Sequence, residues 1–252
     1  MKIIISPAKK MNIDTDTFIY KDLPKFLEYT EQLKTGIQSL SFEQAQKLWA
    51  CNDNIAELNF QRFRDMDLQR NLTPALISYE GIQYQYMAPG VFSADEWEYV
   101  QDHLRILSGF YGVLKPLDGV VPYRLEMQAK ISDIYTNDKK IKNLYDFWGR
   151  LVYDEVVDED RMILNLASKE YSKCMEKYLR AEDKYLTCIF GEEKNGRVIQ
   201  KGTQAKMARG EMVRFMAETK VNVFEELKAF NRLDYCFDAA RSSDKEYVFI
   251  KK

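Results

Sequence analysis

Two glycines and an arginine–glutamate pair, all between Leu104 and Met127 (LRILSGFYGVLKPLDGVVPYRLEM), outline a way to hold a phosphate. Trp97, Val100, Leu104 and Leu107 recur at helical spacing, which predicts a helix ending at Ser108-Gly109. Gly109 and Gly112 then make a turn, and Val113 to Lys115 begin a second helical turn before Pro116. Helix, glycine turn, helix is the order of a helix–hairpin–helix element, in which bare backbone N–H groups reach an anion that a Cβ would hold away. The same residues also describe a helix C-cap followed by a packed turn. Pro122 biases the chain toward extended geometry, so Arg124 and Glu126 face the same side. Such a pair is either a structural ion pair or a carboxylate aiming a guanidinium at a phosphate or a substrate carboxylate.

Further polar candidates stand at strand exits. KIIIS (2–6) lacks alternation, as a strand buried on both faces does, and delivers Ser6 and Lys9 to its end. RMILNLAS (161–168) delivers Ser168 in the same way. Ligands gather at the carboxyl ends of parallel strands, so two such exits side by side make a polar crevice, although each also reads as an ordinary strand-to-helix turn. Lys206 and Arg209 are neighbours on one helix face, in a run that also holds Lys194, Arg197, Lys201 and Arg214. Acid collects elsewhere, in YDEVVDED (153–160), so a net charge of −2 leaves room for a positive groove. Both runs are also compatible with solvated faces.

Other chemistries find little support. His103 is the only histidine and falls in the helix pattern, which disfavours a Ser-His-Asp or Cys-His centre. Cys51, Cys174, Cys188 and Cys236 are too scattered for a zinc site and read as reduced thiols. No metal and no cofactor is expected. No apolar run approaches the length of a membrane span, and the N-terminus reads as a first strand rather than a signal peptide, so the expected location is cytoplasmic.

The elements that must position these residues form one continuous domain, 1–252, with no repeat and no linker. Helices are expected from Pro24, from a capping box at Ser41/Gln44, over 53–66, from a capping box at Ser93/Glu96, over 170–179, and from a Thr203 cap to 218. A short helix follows Asn222, strands are expected at 75–79 and 246–250, and Asn195-Gly196 closes a hairpin. Strands and helices mix without strict βαβ alternation, which predicts α+β.

ISPAK (5–9), LRILSGFYGVLKPLD (104–118), PYRLEM (122–127), LYDFWG (144–149), NLASKEY (165–171) and KMARG (206–210) occur in this order. The chain thereby resembles the YaaA peroxide-stress family of bacteria over nearly its whole length. The resemblance implies a single α+β domain of unusual fold, with a helix–hairpin–helix element and a positively charged cleft. It also implies DNA binding, and protection against hydrogen peroxide by limiting free intracellular iron. On that basis Ser6, Lys9, Arg105, Ser108, Lys115, Arg124, Ser168, Lys206 and Arg209 are expected to contact phosphates, with Gly109 and Gly112 giving backbone access. The partner would be double-stranded or branched DNA, held by structure more than by sequence. Two departures stand out: Ile82 replaces an aspartate of some members, and Met207 replaces a lysine.

The alternative is an enzyme acting on a nucleotide, nucleoside or damaged base. Ser6, Lys9, Arg124, Glu126 and Ser168 would line its pocket, with Glu126 as acid–base group and Lys9 or Lys115 as a Schiff-base lysine. Direct iron binding is disfavoured, because DEVVDED offers hard cations only a weak site.

Overall fold

Three isoleucines, Ile3, Ile4 and Ile5, are fully buried, and they form the centre of the protein's main sheet. The computed structural model describes residues 1–131, 134–136 and 139–252. The strands of the main sheet are β1 (Lys2–Ile5), β2 (Leu104–Ser108), β3 (Gly112–Leu114), β4 (Met162–Asn165), β5 (Lys184–Lys194), β6 (Arg197–Ile199), β7 (Tyr235–Phe237) and β8 (Glu246–Lys251). Their order is β7-β8-β5-β4-β1-β2-β3, with β6 folded back onto β5. The contiguous strands β8, β5, β4, β1 and β2 run parallel, and β3, β6 and β7 are antiparallel additions. The fold is therefore a mixed α+β single domain built on a mostly parallel sheet.

The principal helices are α1 (Leu27–Gln38), α2 (Phe42–Trp49), α3 (Asp53–Arg64), α4 (Ile82–Met87), α5 (Ala94–His103), α6 (Lys169–Glu176) and α7 (Gly202–Thr219). Both expected capping boxes form, at Ser41/Gln44 and Ser93/Glu96. Asn195 (φ 52°) and Gly196 (φ 75°) make the expected hairpin turn between β5 and β6. Thr203 does not cap α7; it lies inside the first turn. Residues 75–78 form a helical turn instead of a strand. Among the described residues no helix is long and apolar enough to cross a membrane.

The stretch 104–114 is not a helix–hairpin–helix. Helix α5 stops at His103, and the next residues are strand β2, a tight turn and strand β3, paired as Ile106↔Leu114 and Ser108↔Gly112. Leu104 to Ser108 are buried throughout. A completely buried apolar run carries no period that separates strand from helix, and the open hydrogen-bonding edge of β1 decides in favour of the strand.

The sheet order also fixes where a ligand can enter. From β1 the chain crosses to β2 on one side, and from β4 it crosses to β5 on the other. The connections diverge between β1 and β4, and a crevice opens outside the carboxyl ends of that pair.

Candidate functional site

Ser6 and Ser168 stand at the mouth of that crevice. The Ser168 N–H donates to Ser6 Oγ at 2.8 Å, and Ser6 Oγ donates to Ser168 Oγ at 3.2 Å. Ser168 is the N-cap of α6, yet its hydroxyl makes no capping bond and stays with Ser6. The hydroxyl of Tyr84, on α4, donates to the Ser6 carbonyl at 2.9 Å, which ties a second wall to the end of β1.

A cavity of about 420 Å³ lies over these residues. It joins Ser6, Lys9, Arg124, Glu126, Ser168, Lys206 and Arg209, which come from four distant parts of the chain. Tyr84, Tyr123, Tyr171, Ile82 and Leu125 add apolar surface. Of its five cations, Lys10 pairs with Glu80 at 2.7 Å, while Lys9 and Arg124 share Glu126 Oε1 at 2.9 and 3.2 Å. Lys206 and Arg209 have no carboxylate partner among the described residues.

Three residues that line the cavity carry a donor the protein leaves unpartnered. Arg124 Nε, Arg209 Nε and Gln83 Nε2 are buried without a hydrogen-bond partner. Gln83 is only 7% exposed. A buried donor without an acceptor costs about 1–3 kcal/mol. Three such donors around one cavity describe a site shaped for an electron-rich oxygen group. Burial pulls Arg209 below the ordinary arginine pKa, but a guanidinium remains charged at neutral pH. Glu170, on α6, also faces the cavity; burial first, and then the neighbouring Glu126, raise its pKa above the usual carboxylate value, while the Gln128 N–H and Lys9 oppose the shift.

The glycines expected to admit a phosphate admit the protein's own backbone. A Cβ on Gly109 would lie 2.6 Å from the Leu125 carbonyl oxygen. The close approach lays the 125–127 segment against the β2–β3 turn and so sets the Arg124–Glu126 pair over the cavity. Gly112 (φ +75°) packs against the Trp148 ring, and Trp148 Nε1 donates to the Gly109 carbonyl at 2.9 Å. Gly210, which closes the KMARG motif, lets α7 cross α4 so tightly that a Cβ would meet the Gln83 carbonyl oxygen at 2.2 Å. That crossing brings Arg209 and Gln83 to one wall.

Five residues expected at the site fall outside the cavity. Ser108 is fully buried; its Oγ accepts the N–H groups of Phe110 (3.1 Å) and Tyr111 (2.9 Å) and bonds the Tyr123 hydroxyl at 2.6 Å. Gly109 and Gly112 are filled as described. Arg105 is 6% exposed and donates to the carbonyls of Gln101 and Leu104. It lies with Lys115 at the opposite end of the sheet, beside His103, Asp102 and Asp158. Arg105 and Lys115 therefore do not line the cavity that holds Lys9 and Arg124. The Schiff-base role also lacks its environment: Lys115 is remote from the cavity, and Lys9 is 65% exposed and ion-paired, the reverse of a desolvated lysine. Sequence reasoning missed Gln83 and Glu170. Gln83 stands in the YEGIQYQY stretch (79–86) and Glu170 in NLASKEY, but only the tertiary crossing shows that they face the same space.

Comparison with known proteins agrees with the motif order. The family model described as Peroxide stress protein YaaA matches residues 1–241. A UPF0246 protein of Agathobacter rectalis is 55% identical over 252 residues, spanning 100% of this chain and 99% of its own. UPF0246 proteins of Lachnoclostridium phytofermentans and Desulfitobacterium hafniense are 54% and 53% identical, each over 100% of this chain and 96% and 98% of theirs.

Proposed function

Because the chain belongs to the YaaA family of peroxide stress proteins, we propose that it serves that response by binding a phosphate-bearing, nucleotide-like small molecule in the Ser6–Ser168 crevice. The observation that carries this reading is the set of unpartnered donors, Arg124 Nε, Arg209 Nε and Gln83 Nε2, around one cavity at the topological switch point. Arg124 and Arg209 take the phosphate, with Lys206 and Lys9 at the rim. Tyr84, Tyr123 and Tyr171 give the planar part of the ligand an apolar bed, and the Gln83 amide meets a polar edge. The cavity volume, about 420 Å³, lies within the roughly 300–1,000 Å³ of small-molecule sites.

Calorimetric titration with nucleoside 5′-monophosphates and the matching nucleosides tests the reading. Saturable binding of a monophosphate, with the nucleoside at least about tenfold weaker, is the expected result. Equal binding of the two, or none by either, contradicts it.

Lys9 and Lys10, exposed at the rim, together with Lys206, favour a second reading, in which duplex or branched DNA lies across the cavity mouth. Its affinity would fall with a log–log salt slope of about −0.9 per phosphate contact. On either reading, a lowering of free intracellular iron would be an indirect effect. The proposed location is the cytoplasm.

A further inference from the structure

A second cavity, of about 470 Å³, adjoins the first and shares Arg124 and Glu126 with it. Nothing in the proposed phosphate site explains its lining. Lys47 and Lys130 face it, and neither has a carboxylate partner among the described residues. Trp49 also lines it, is 3% exposed, and holds a buried Nε1–H with no acceptor. An indole N–H only donates, so it cannot be satisfied by a cation or by another donor.

The local backbone explains how Trp49 comes to face this space. Helix α2 ends at Trp49, and Ala50 turns the chain away in the left-handed conformation (φ 45°). The Trp49 ring stacks on Phe63 at 5.7 Å, which fixes its plane beside the cavity it lines. On the other side, Arg124 Nε is unpartnered while its NH2 group is held by Glu126.

We infer that the cavity lined by Trp49, Lys47 and Lys130 is a second anion compartment, which takes a second phosphate of the same ligand across the Arg124–Glu126 pair. This rests on the proposed function and narrows the ligand to a bis-phosphorylated one. The two phosphates come either from a free nucleoside bisphosphate or from successive links of a strand. Arg124 reaches both compartments, and Glu126 holds its guanidinium between them. The first compartment supplies Arg209, Gln83 and Lys206; the second supplies one neutral donor and two flexible ammonium groups.

The test compares a nucleoside 5′-monophosphate, the 3′,5′-bisphosphate and a 5′-phosphorylated dinucleotide on the full chain. One or both of the ligands with two phosphates should bind about tenfold tighter than the monophosphate. A gain for the bisphosphate points to a free ligand, and a gain confined to the dinucleotide points to a strand end. Lys130→Ala and Lys47→Ala alter exposed side chains, so the fold is kept; they should erase the gain and leave monophosphate binding unchanged. Trp49→Phe should act in the same direction and should also remove any ligand-dependent change in indole fluorescence. Equal affinity of all three ligands, or variants that weaken the monophosphate as much as the others, overturns the second compartment while the first stands. If none of the three binds saturably, both fall.

Discussion

The two ends of the parallel sheet carry similar numbers of cations and opposite prospects for binding an anion. At the amino end the adjoining hollows gather the Met1 amine, Lys2, Lys21, Lys25, Arg105 and Lys115, six cations, against Asp22, Asp102, Asp118, Glu155, Asp158 and Asp160, six carboxylates. Half of this charge is spent in ion pairs: Met1 on Asp160 at 3.0 Å, Lys2 on Asp158 at 3.3 Å, Lys25 on Glu155 at 3.2 Å. At the carboxyl end five cations meet three carboxylates, Glu80, Glu126 and Glu170, and burial raises the pKa of Glu170. Convergence of positive side chains is therefore a weak sign of a site. What separates the two ends is that three residues at the carboxyl end, Gln83, Arg124 and Arg209, keep a buried donor without a partner, against Arg105 alone at the amino end, and that the strand connections diverge at the carboxyl end.

The sharpest way to break this contrast is Arg124→Ala. It removes the guanidinium that serves both compartments and strands Glu126 beside Lys9. Phosphate-ligand affinity should fall by a hundredfold or more, about 3–5 kcal/mol, in a calorimetric titration. The next effect belongs to the amino end. Asp118, 4% exposed, has its pKa raised from 3.8 to about 7, chiefly by burial. Between those values the folded chain keeps a proton that the unfolded chain releases, so wild-type stability falls as pH rises. Asp118→Asn retains an oxygen to accept the Lys115 N–H and lacks the titration. Denaturant unfolding should show the variant gaining on wild type by about 1.4 kcal/mol per pH unit across that window, with ligand affinity unchanged.

Gly109→Ala should cost about 1–3 kcal/mol by overpacking against the Leu125 carbonyl, lowering Tm by about 2–4 °C per kcal/mol. A loss of ligand affinity at full stability would instead return Gly109 to direct phosphate contact. Lys206→Ala, on an exposed rim residue, should weaken ligand binding only a few-fold, about 0.2–1 kcal/mol, and less so in high salt.

Much of the carboxyl-end site was legible in the sequence. KIIIS and RMILNLAS announce buried strands that end in serine, and parallel pairing places those serines side by side. Extended geometry after Pro122 brings Arg124 and Glu126 together without any long-range information. Lys206 and Arg209 follow from one helical turn. The misplaced residues of 104–114 have one cause: the run is buried on every side, Arg105 and Ser108 included, and a fully buried run hides its period. Reading them as a helix aimed Gly109 and Gly112 at solvent, whereas β2–β3 pairing aims them at residues 125–127 and Trp148. The same error moved Arg105 and Lys115 to the wrong end of the sheet. Gln83 and Trp49 were out of reach, because an orphaned donor is a property of the packed interior and leaves no mark on local pattern.

The central claim is that the carboxyl-end crevice, and not the amino-end cluster, receives a phosphate. Titrating one nucleoside 5′-monophosphate into wild type, Arg124→Ala and Lys115→Ala at low salt addresses it directly. Saturable binding to wild type and Lys115→Ala, lost in Arg124→Ala, is the predicted result. Binding retained by Arg124→Ala and lost in Lys115→Ala would contradict the account.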